Sequence, residues 1–125
     1  MRTAGFFASA FICLPALAAQ YPLPPVTAGV SMIYTEAPLG REEGLVGPRI
    51  GCLNEWFEMH SDGWTRETYQ GSALIKSYLV HEDETRSTLY LYAGSVRVWV
   101  EGRDWVRATS THEHALIVHC IKYGV

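Results

Sequence analysis

The chain has 125 residues, with 10 basic and 13 acidic side chains and a formal net charge of −3. This length suits one domain. The acid excess, with no two basic residues adjacent, speaks against a protein that grips nucleic acid or an anionic membrane through a strong basic field.

Arg2 is followed by an uncharged apolar run over residues 4–17 and then by the small residues Ala18 and Ala19. This pattern predicts a secretory signal peptide over residues 1–19, cleaved after Ala18 or Ala19. The run falls short of the roughly 20 apolar residues that cross a bilayer, so no membrane association is expected after cleavage. Loss of Arg2 moves the net charge from −3 to −4. Cys13 leaves with the leader, and the two remaining cysteines, Cys52 and Cys120, read as one disulfide in an oxidising compartment.

All six prolines lie at or before Pro48. Residues 20–50 therefore read as a Pro/Gly-rich N-terminal extension, polyproline-like over residues 21–25, with one segment at 30–35 able to add a strand to an edge. Residues 51–125 read as a β domain. Residues 52–60 suit a first strand, and Ser61, Asp62 and Gly63 mark a turn. Strands follow over 64–70 and 73–80, then a charged loop at 81–86. From Ser87 to Arg107, three apolar runs separated by Gly-containing breaks predict an antiparallel meander. Val96, Val98 and Val100 share one face of its middle strand, and Arg97, Trp99 and Glu101 share the other. A polar connection leads to a last apolar strand at 115–123. The fold expected is all-β, a six- or seven-stranded antiparallel sandwich tied by the Cys52–Cys120 disulfide.

Chemistry is sparse in this pattern. His112, His114, His119 and Cys120 have a superficially metal-like spacing. On a strand, however, His119 would face away from the other two, and Cys120 is claimed by the disulfide. No metal or cofactor is expected. Glu58 and His60, aligned on one strand face with Arg66, Arg97 or Arg107 nearby, would suit a small secreted ribonuclease or another hydrolase. No Gly-x-Ser-x-Gly elbow, phosphate loop or His-Glu-x-x-His motif occurs, and the chain is expected not to be an enzyme. Four tryptophans are the stronger signal. Trp99 beside Arg97, opposite the valines, has the composition of a binding hot spot, and stacking of tryptophan on a sugar ring is the carbohydrate-binding alternative.

A signal peptide, a short mature domain, one cysteine pair and six short strands over residues 52–123 together resemble the MAX effectors of plant-pathogenic fungi. That resemblance implies a secreted β-sandwich that binds a host or target protein without catalysis. Arg97 and Trp99 are the contact candidates, either on a β face or on an edge open to β-augmentation.

Overall fold

The computed structural model describes residues 23–35, 41–68 and 71–125; the signal peptide expected over residues 1–19 lies outside them. Six strands form one antiparallel sheet: β1 (Val26–Ile33), β2 (Arg41–Leu45), β3 (Ile75–His81), β4 (Arg86–Leu91), β5 (Ser95–Val100) and β6 (Arg103–Ala108). Their order is β2-β1-β3-β4-β5-β6, and the sheet is open. Two helices, α1 (Pro48–Met59) and α2 (Thr111–Tyr123), complete the described residues.

The meander forms as its alternation predicts. Buried and less buried residues alternate along β3, β4 and β5, with Val96, Val98 and Val100 in the core. Between β5 and β6 the two turn residues, Glu101 and Gly102, both have positive φ, at 51° and 77°. Such a turn matches the strand twist and favours glycine at the second position.

The segment from residue 20 to 50, read as an extension, supplies β1, β2 and the start of α1. β1 lies between β2 and β3. Gly29 permits this closeness, because a Cβ there would lie 2.6 Å from the Tyr78 carbonyl oxygen. The start of β1 and the residue ahead of it are held by hydrogen bonds. The Asn54 side chain accepts from Val26 N at 2.7 Å and donates to Val26 O at 2.9 Å. Glu82 N donates to Pro25 O at 2.8 Å.

The two segments expected as the first and last strands, 52–60 and 115–123, are instead helical, and no second sheet faces the first among the described residues. The reason is visible in their ends and spacing. Pro48 occupies the first turn of α1, where its missing N–H costs no hydrogen bond. Leu53 and Trp56, three residues apart, are its buried positions. In α2, Ser110 and Glu113 form a reciprocal capping box, Ile117, Cys120 and Ile121 are buried, and Gly124 closes the helix in the left-handed conformation. These i, i+3 and i+4 spacings are those of one helical face.

Leu53, Trp56, Ile117 and Ile121 join Ile33, Ile75, Leu79, Leu89, Leu91 and the β5 valines in a single hydrophobic core. The helices thus cover one sheet face. The expected disulfide is present between Cys52 and Cys120, with Cα atoms 5.3 Å apart, and it joins α1 to α2 rather than two strands.

Candidate functional site

With both helices on one face, the other face of the sheet is open. Strand alternation and register decide what it carries. On β3 the outward residues are Lys76, Tyr78 and Val80, on β4 Arg86, Thr88 and Tyr90, and on β5 Ser95, Arg97 and Trp99. Tyr78 pairs with Thr88, and Thr88 with Trp99. Two aromatic side chains therefore stand two strands apart across a threonine. Tyr78 is 46% exposed and Trp99 42% exposed. Between them lies a cleft of about 280 Å³, bordered by Val30, Val80, Arg86 and Thr88.

In the neighbouring row Lys76 pairs with Tyr90, and Tyr90 with Arg97. The cations cover the rings: Lys76 Nζ is 5.2 Å from the Tyr78 centroid and 5.5 Å from that of Tyr90. The Arg97 guanidinium is 4.3 Å from the Tyr90 centroid, within the range of a cation–π contact.

Trp99 is therefore a surface residue, as a contact candidate must be. Arg97 is more constrained. Its Nε donates to Asp104 Oδ1 at 2.8 Å, and Nη1 donates to the Tyr92 hydroxyl at 3.3 Å. Burial opposes its charge, but the hydrogen bonds to Asp104 and Tyr92 outweigh it, so its pKa is held above the ordinary arginine value. Arg97 braces the face and stays charged there.

Glu58 and His60, expected to share a strand face, are separated by the helix. Residues two apart on a helix do not face each other. Glu58 is exposed and borders a groove with Leu23, Asn54 and Phe57. His60 is buried at the end of α1, and its ring stacks on Trp56 with centroids 4.2 Å apart. Its Nδ1 donates to Trp56 O at 2.7 Å, and its Nε2 lies 3.5 Å from Glu113 Oε2. Arg107, one of the three arginines considered with it, reaches Glu113 through Nη1 at 3.3 Å and Nη2 at 3.4 Å. Its Nε donates to Asp62 O at 2.8 Å. These contacts join the end of α1, the start of α2 and β6.

Glu113 is held below the ordinary glutamate pKa, first by the Ser110 N–H and next by Arg107; burial opposes this, and the charges of Arg107 and His60 add to it. A depressed carboxyl pKa stabilises the fold above the unfolded value and loses that contribution as pH falls through the folded one. Urea midpoints for the wild type and Glu113→Gln should therefore differ at pH 5 and converge as pH drops below about 4. A constant difference down to pH 3 would show that the Glu113 charge contributes nothing.

The metal-like histidines do not converge. His112 and His119 are exposed on α2, His119 makes an edge contact with Tyr123 at 5.4 Å, and Cys120 is in the disulfide. No group of three histidine, cysteine or acidic side chains suited to a metal occurs among the described residues. No described helix is long and apolar enough to cross a membrane.

The sequence pattern located Trp99 and Arg97 but missed Tyr78, Thr88 and Arg86. The alternation along residues 75–80 and 86–91 carries the signal, but pairing those strands needs the register. No family model, curated protein or solved structure matches this chain.

Proposed function

We propose that this chain is a small secreted, effector-like protein that binds a host or target protein without catalysis, through the uncovered face of its sheet. The reading rests on one observation: Tyr78 and Trp99 stand exposed across a cleft on a face that neither helix covers. Large amphipathic rings on a rigid sheet lose little conformational freedom on binding, which is why tryptophan, tyrosine and arginine dominate interface hot spots. Trp99 is the anchor. Arg97 holds Tyr90 and its neighbours in place through Asp104 and Tyr92. Secretion follows from the leader over residues 1–19, and the effector setting from the resemblance to the MAX class.

The test is recovery of a target by the protein with its disulfide formed, compared with its variants. Trp99→Ala should weaken capture by at least about thirtyfold, equivalent to a hot spot of roughly 2 kcal/mol. Arg97→Ala should weaken it less, with a small loss of stability. Capture unaffected by both substitutions would place the contact elsewhere and end this reading.

A further inference from the structure

The middle of the open sheet face differs in charge from the chain as a whole. The chain is acidic overall. Yet the outward residues of β3, β4 and β5 include three cations, Lys76, Arg86 and Arg97, and no acid. Two acids flank these strands on the same face: Asp104 on β6, engaged by Arg97, and Glu42 on β2, which pairs with Met32 and so lies two strands from Lys76. Arg86 borders the Tyr78–Trp99 cleft and is exposed. The β3–β4 turn beside it holds Glu82, Asp83 and Glu84, but none forms an ion pair with Arg86 among the described residues. Arg86 is the one charged residue among those lining the cleft, so a ligand held there meets its guanidinium first.

The cleft, at about 280 Å³, is of a size for one side chain. Next-but-one strands lie about 9.5 Å apart, twice the strand spacing. One side chain can enter between Tyr78 and Trp99, where Thr88, also in the lining, offers a hydroxyl as a hydrogen-bonding group.

We infer that the partner presents an acidic segment, inserting one aromatic side chain between Tyr78 and Trp99 and placing a neighbouring carboxylate on Arg86. This rests on the proposed protein-binding role of the face and adds the chemistry of what it binds. A guanidinium receives a carboxylate through paired N–H donors. The cations over Tyr78 and Tyr90 extend the same preference along the sheet.

The experiment is a titration of the full protein, followed by tryptophan fluorescence and by amide shifts in isotope-labelled protein. The probes are a glutamate-rich glutamate–tyrosine copolymer, polyglutamate, a lysine–tyrosine copolymer and oligouridylate. The glutamate–tyrosine copolymer should bind most tightly, shift amides of β3–β5, and weaken as salt rises from about 50 to 300 mM. Arg86→Glu and Trp99→Ala should each weaken it about tenfold or more. Equal or tighter binding of the lysine–tyrosine copolymer, or no binding of any polymer, would overturn the inference. Preference for oligouridylate would also overturn it and turn the face into a nucleic-acid surface. The two readings fail separately. A captured target that depends on Trp99 but not on Arg86 sinks the acidic-segment chemistry alone. One indifferent to Trp99 and Arg97 sinks the protein-binding face itself.

Discussion

Reducing the Cys52–Cys120 bond should lower the unfolding free energy by about 4 kcal/mol, as should replacing both cysteines by alanine. The bond spans 68 positions, and closing a loop of that length removes roughly this much freedom from the unfolded chain. Domains of this size have about 5–15 kcal/mol of stability in all, so the loss would bring the fold close to its limit. The position of the bond raises the stake. It couples α1 to α2, and these helices supply Leu53, Trp56, Ile117 and Ile121 to the core. Urea titrations with and without reductant measure the effect directly. A midpoint that reductant leaves unmoved would show that helix packing alone holds α1 against α2.

Trp64→Ala should cost about 3–5 kcal/mol, the range for removing a large buried aromatic. Trp64 is 1% exposed, it packs near Phe57, and its indole N–H donates to His60 O at 2.7 Å. Truncation leaves a cavity and takes the donor from a buried carbonyl next to the His60–Glu113 contact. Trp99→Ala, on the open face, should change stability by less than about 1 kcal/mol while removing binding. Trp64→Phe should fall between the two, keeping part of the volume and losing the hydrogen bond. Measured by urea denaturation, equal effects at Trp64 and Trp99 would refute the division between a core and a contact tryptophan.

That division was not legible in the sequence. Trp56, Trp64, Trp99 and Trp105 all fall in or beside segments that read as strands, and the alternation around Trp99 says only that it opposes the valines. A second sheet over that face would have made Trp99 core. The structure leaves the face open because α1 and α2 both pack on the valine side. The two helices were obscured for a related reason. Trp56, Phe57, Ile117 and Val118 suit strands and helices alike, and their chain neighbourhoods are short. The deciding local signals were modest ones: Pro48 at the start of α1, and the Ser110–Glu113 box and Gly124 at the ends of α2.

The sequence by itself determined the meander, the inward set of Val96, Val98 and Val100, and the cysteine pair. Each of these follows from local periodicity, from turn chemistry, or, for the cysteines, from the expected loss of Cys13 with the leader. Only the tertiary structure decided that residues 26–33 and 41–45 belong to the sheet, that the disulfide joins two helices, and that Tyr78, Thr88, Trp99 and Arg86 meet at one cleft. Those outcomes depend on strand order and on which face the helices cover. Both are set by burying apolar surface between residues far apart in the chain, which no local window of sequence contains.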